Sequence, residues 1–143
     1  MIKVYLASRY ARREEMEKYA RRLQKLGVEI VSRWVWGSHS LSLADGQDLN
    51  ISDPRNGKLA REDREDVLEA GIVLNFTESD LFPRGSRQTE FGMAYESYKI
   101  CVIVGPFENL FHHLPGVLKF ETFEEVIQNW DIVLTSFPSK EKI

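Results

Sequence analysis

The sequence predicts an α/β protein of three layers, in which an open five-stranded parallel sheet carries helices on both faces. Three observations lead there. Short apolar runs such as Ile2–Ala7, Ile72–Phe76 and Ile100–Val104 suit strands buried in a parallel sheet. Between them lie segments whose apolar residues recur at three- and four-residue spacing, the pattern of amphipathic helices. Stop and cap signals fall at the joints, with Gly27 after the first helical segment and the capping box Thr122-Phe123-Glu124-Glu125 before the last.

Taken in order, Ile2–Ala7 is a buried first strand. In Ala11–Leu26 the positions Met16, Tyr19, Ala20, Leu23 and Leu26 form one apolar helical face, and Val28–Val31 is the second strand of a right-handed βαβ unit. Periodicity is lost from Ser32 to Gly57, and a loop of that length within a compact domain is usually functional or mobile. Lys58–Ala70 restores helical spacing, Ile72–Phe76 is the third strand, and Thr77–Arg84 is a second loop. Ser86–Tyr98 reads as a helix with Ser86 as N-cap, followed by the strand Ile100–Val104. A loop over Gly105–Gly116, a short strand Val117–Phe120, a closing helix Thr122–Val133 and a frayed tail from Ser136 complete the chain. These elements add up to a three-layer, flavodoxin-like arrangement. Periodicity does not fix the strand order; 2-1-3-4-5 is the order expected.

The 143 residues, 43% hydrophobic and 29% charged, suit one compact domain over 1–143. The opening apolar run is too short for a signal sequence, and the charged segment after it excludes a spanning helix, so a cytoplasmic protein without membrane contact is expected. The single cysteine, Cys101, lies inside an apolar strand and reads as a small buried hydrophobe. A net charge of −3 gives no global field for nucleic acid. His39, His112 and His113 lack metal-ligand spacing, so no metal is assigned. Neither GxGxxG nor GxxxxGK[ST] occurs, which argues against a dinucleotide or P-loop nucleotide, and no cofactor is expected.

Glu90 is the first candidate for chemistry. It falls in the first turn of a predicted helix, between two strands of a parallel sheet, where the loops beyond the strand carboxyl ends line a ligand crevice. Its ordinary reading is a charge favourable to the helix dipole, worth ~0.3–1 kcal/mol. Its neighbours favour more than that: Gly85 and Ser86 keep bulk away, Gly92 would allow close packing on the sheet, and Phe91 and Met93 would anchor the helix. Asp63 sits among Glu62, Glu65, Asp66 and Glu69 on a helix whose charge density alone cannot choose between them. Tyr5 is either a core tyrosine with a partnered hydroxyl or a phenol that orients a carboxylate. Ser8 and Arg9, after the first strand, are natural phosphate donors. Trp34 could wall a flat ligand, although tryptophans more often fill cores.

Together these residues resemble the nucleoside 2-deoxyribosyltransferase family, which includes nucleoside 5′-monophosphate N-glycosidases. The resemblance covers most of the chain and rests on the order of its parts: Val4-Tyr5-Leu6-Ala7-Ser8-Arg9, then Asp63 ahead of Ala70-Gly71-Ile72, then Glu90-Phe91-Gly92-Met93-Ala94, then Lys99–Val104. It implies that Glu90 is a nucleophile at C1′ of the sugar, forming a glycosyl ester that a second base or water resolves. It implies that Asp63 lies beside the base or helps protonate it, and that the Tyr5 hydroxyl holds Glu90. It also implies a homodimer or larger assembly; the apolar loop 105–115 fits an interface or a substrate lid, and Asn109 and His112 are candidates to reach a nucleotide.

The chain departs from the family pattern at Gly71, where an aspartate is usual, at Phe91, where leucine is usual, and at Arg87 and Gln88, where smaller residues are usual. If Arg87 points into the crevice it joins Ser8, Arg9 and Ser86 in favouring a phosphorylated substrate; if outward, it is a surface arginine. A non-catalytic nucleotide-sensing module on the same fold is the competing expectation. A flavodoxin or response-regulator signalling domain is not, because Ala7-Ser8-Arg9-Tyr10 offers neither an acidic cluster nor a flavin phosphate loop.

Overall fold

The computed structural model describes residues 1–37, 53–79 and 85–141. Strands β1 (Lys3–Ala7), β2 (Glu29–Ile30), β3 (Ile72–Phe76), β4 (Ile100–Val104) and β5 (Leu118–Phe120) form one parallel sheet of order β2-β1-β3-β4-β5. That is the expected order. The α-helices among the described residues are α1 (Arg13–Gln24), α2 (Arg55–Glu69), α3 (Ser86–Glu96), α4 (Phe123–Gln128) and α5 (Trp130–Leu134). None is long and apolar enough to cross a membrane.

Register divides the sheet into two faces. Tyr5 pairs with Val73 and Ala7 with Asn75, so these four side chains lie on one side, the side covered by α2 and α3. Val4, Leu6, Leu74 and Phe76 lie on the other, where Tyr19 of α1 stacks on Phe76 at 5.3 Å and on Phe123 of α4 at 4.1 Å. Apart from Lys3 and Ile100, every residue of β1, β3 and β4 is buried, which explains their continuous apolar character. Each large aliphatic side chain so buried contributes roughly 1.5–3 kcal/mol. Cys101 is among them, and burial pushes its thiol up to about 12.

Several local expectations are corrected. The helix over 122–133 is two helices broken at Asn129, whose side-chain amide donates to the Glu125 carbonyl at 2.7 Å and competes with the helical ladder. Thr122 does cap α4, accepting from the Glu125 N–H at 3.2 Å, but the Glu125 carboxylate reaches the N–H of Glu121 at 2.9 Å instead of that of Thr122. Ser86 is the first residue of α3 and not its cap; that place belongs to Gly85, whose φ of 93° is natural only for glycine. Gly92 faces open space, with nothing within 4 Å of where a Cβ would stand, so it does not serve close packing on the sheet.

The tail is fastened where fraying was expected. Ser139 is fully buried, accepts from the Cys101 N–H at 2.9 Å and donates its own N–H to the Lys99 carbonyl at 3.0 Å. A short 3-10 turn, Ser139–Glu141, thus finishes the hydrogen bonding at the start of β4. Of the long loop after the second strand, Arg33–Trp36 is a 3-10 turn and α2 already begins at Arg55. His39 lies outside the described residues, as do 80–84 of the second loop.

Candidate active site

Glu90 stands at the opening of the second turn of α3, not in its first turn as the sequence suggests, because the helix begins at Ser86. Its side chain turns inward with Arg87, Phe91 and Ala94, and only 8% of the residue is exposed. From the opposite wall Tyr5, fully buried on β1, donates its hydroxyl to the Glu90 carboxylate. Burial pushes Glu90 up to about 8; the Tyr5 hydrogen bond opposes that rise, and the charge of Asp63 adds to it. Burial and the same two carboxylates hold the Tyr5 phenol well above its ordinary range, so it remains a donor.

The structure sorts the acidic residues of α2 by partner. Glu69 pairs with Lys3 at 2.8 Å, Glu62 with Lys58 at 3.9 Å, and Glu65 with Arg33 at 3.3 Å. Asp66 is buried and accepts from both the backbone N–H and the Nε of Arg33, at 3.0 and 2.9 Å, which ties α2 to the turn after β2. Asp63 is the one whose field falls on both Tyr5 and Glu90. Three residues named from the sequence, on β1, α2 and α3, therefore act electrostatically on one point.

The other named residues take different places. Arg87 neither enters a crevice nor faces solvent: it is buried against Glu108, with Nε 2.9 and 3.1 Å from the two carboxylate oxygens. Arg9 forks onto Glu78, its Nη2 at 2.6 Å and its Nε on the other oxygen. Ser8 donates to the carbonyl of Arg9 at 2.8 Å, and Ser86 is exposed. Trp34 is 6% exposed and donates its indole N–H to the Leu6 carbonyl at 2.8 Å, with Tyr10 tilted against it at 6.1 Å. Asn109 caps the 3-10 turn Leu110–His113 by accepting from the Phe111 N–H at 2.9 Å. His112 is buried edge-on to Phe91, its Nδ1 accepts from the Glu108 N–H at 3.1 Å, and burial lowers its basicity.

Two residues that sequence reasoning passed over emerge here, Glu78 and Glu108. Each is an acid set just beyond a strand end, Glu78 two residues after β3 and Glu108 four after β4, and Glu108 is the single carboxylate in the apolar loop 105–115. Their positions were the available signal. A shallow concavity lined by Ile2, Lys3, Glu69, Gly71 and Leu134 lies at the other end of the strands, beyond their amino termini, and contains none of these groups.

The sheet order reverses between β1 and β3, whose following helices α1 and α3 pack on opposite faces, and ligands of open α/β sheets bind over such a reversal, beside which Tyr5 and Glu90 meet. No family model and no curated protein matches the chain. Solved structures do. The 2-deoxyribosyltransferase of Bacillus psychrosaccharolyticus matches 96% of this chain and 98% of its own at 18% identity, with a TM-score of 0.65. This chain shares its fold. The CMP N-glycosidase BcmB of Clostridium botulinum matches 91% of this chain and 98% of its own at 17% identity, with a TM-score of 0.56. At these identities the likeness to the deoxyribosyltransferase and the N-glycosidase is one of fold, and chemistry has to be argued from the residues.

Proposed function

We propose that this protein cleaves the N-glycosidic bond of a nucleoside or nucleoside 5′-monophosphate, with Glu90 as the nucleophile. The observation that carries the reading is a carboxylate buried on a helix of a deoxyribosyltransferase-like fold, held by a phenol from the neighbouring strand and raised to about 8. In the first step an oxygen of ionised Glu90 forms a bond to C1′ while the C1′–N bond breaks, its electron pair leaving with the base. The departing nitrogen takes a proton that reaches it from solvent, and Asp63, whose charge falls on the site, is the group placed to assist that transfer; such assistance is worth about 10²–10⁴-fold. Water or a second base then attacks C1′ and releases Glu90. A homodimer that completes the site through the loop carrying exposed Leu110 and Phe111 belongs to the same reading.

Purified protein and Glu90→Ala are to be assayed chromatographically against nucleosides, deoxynucleosides and their 5′-monophosphates, with and without acceptor base. Base released without acceptor, and lost in the variant, identifies a hydrolase; exchange only with acceptor identifies a transferase. Silence across the panel with ligand still bound would leave a sensing module on the same fold.

The phenol has its own signature. Because Tyr5 stabilises the ionised form of Glu90, Tyr5→Phe is expected to move the rising limb of kcat/KM from about 8 to higher pH. One unit of displacement costs about tenfold at pH 7. A pH–rate profile with an unmoved limb would show that Tyr5 only packs.

A further inference from the structure

We infer that Glu78 is a specificity-determining residue that selects an uncharged nucleoside over its 5′-monophosphate. The inference rests on the N-glycosidic reading above and narrows its substrate class. Arg9 stands two residues beyond the end of β1 and Glu78 two beyond the end of β3, so their ion pair bridges the exits of the two strands between which the sheet order reverses. Ligands of open α/β sheets bind over that point. The Arg9 guanidinium is the planar fork that would otherwise grip a phosphate, and the two oxygens of Glu78 already occupy it side by side.

The neighbouring groups repeat the pattern. The backbone N–H of Glu78 donates to Glu108 at 3.3 Å, and Glu108 takes the fork of Arg87. Arg12, the next cation along, is forked on Glu15 at 2.7 and 2.9 Å and donates to the Thr77 carbonyl at 3.4 Å. Each of these three arginines is thus matched by a carboxylate of its own. An arriving phosphate would have to expel Glu78 from Arg9 and then lie beside it and Glu108. A sugar hydroxyl meets no such barrier, since it can donate to a carboxylate already in place.

The test compares kcat/KM for matched pairs, each nucleoside against its own 5′-monophosphate, in the wild type and in Glu78→Gln. The wild type is expected to favour the nucleoside by about 100-fold, and Glu78→Gln to cut that preference by about tenfold or more through a gain on the monophosphate. Adding Arg9→Ala to Glu78→Gln should abolish the gain. A second readout needs no turnover: inorganic phosphate, at constant ionic strength, should raise the melting temperature of Glu78→Gln and not that of the wild type. A wild type that cleaves monophosphates as well as nucleosides, or a preference unchanged in Glu78→Gln, overturns the inference and leaves the N-glycosidic reading standing. Base release from no substrate by either protein overturns that reading instead; the phosphate response then decides alone, a gain confined to Glu78→Gln supporting the inference and an equal response overturning it.

Discussion

Glu90→Gln is expected to abolish base release, by at least about 10³-fold, while making the protein more stable than the wild type at alkaline pH. The two effects have one cause. Glu90 ionises near 4.5 in an unfolded chain and near 8 in the folded one, so between those values the folded state binds the extra proton. Stability therefore falls as pH rises from about 4.5 and has lost its full increment above about 8. That increment is on the order of 5 kcal/mol. Glutamine keeps an acceptor for the Tyr5 hydroxyl and carries no charge, so the variant should escape the loss. Denaturant unfolding at pH 5 and pH 9 checks it: the two proteins should nearly coincide at pH 5 and separate at pH 9. Equal stability at pH 9 would mean that Glu90 is solvated and lacks the environment a buried nucleophile requires.

The second large effect concerns the Arg87–Glu108 pair, whose side chains are 5% and 7% exposed. Arg87→Ala or Glu108→Ala alone should cost about 3–5 kcal/mol, because each leaves the opposite charge buried and unmatched. Removing both together, as Arg87→Met with Glu108→Leu, should cost far less than the sum, and a double-mutant cycle in urea measures the coupling. Glu108 also accepts from Gln88 at 3.3 Å and from the N–H of Glu78, so the pair clamps the loop after β4 to the first turn of α3. Glu90 follows Arg87 by one helical turn on the same buried face. Single losses of under 1 kcal/mol would show that the pair is hydrated.

Much of this architecture was legible because one physical signal dominated it. Strands buried on both sides have no polar residues to spare, and Ile72–Phe76 and Ile100–Val104 kept their expected boundaries. Where two local preferences compete, the sequence is silent: Asn129 can continue a helix or bond back to Glu125, and only the surrounding packing decides. Ser139 was opaque for the converse reason, since its partners at Lys99 and Cys101 are some forty positions away.

The site divides in the same way. Glu90, Tyr5 and Asp63 were singled out through their order along the chain, and the contact of the Tyr5 phenol with Glu90 is what the structure adds. The fate of Arg9 and Arg87 was not, because a guanidinium beyond a strand end looks the same whether it awaits a ligand or is matched by a carboxylate. Glu78 and Glu108, the residues that match them, lie 69 and 21 positions away.

The indole of Trp34 gives the molecule a built-in optical reporter. It is bonded to the carbonyl of Leu6, the residue after Tyr5, and is shielded from water, whereas Trp36 is more exposed and Trp130 lies in α5. Of the three tryptophans it alone is wired to the strand that holds the carboxylate. Its emission should sit toward the blue, and a shift or quench on adding a compound would register occupancy of the crevice in real time, before any product is formed and in variants that form none.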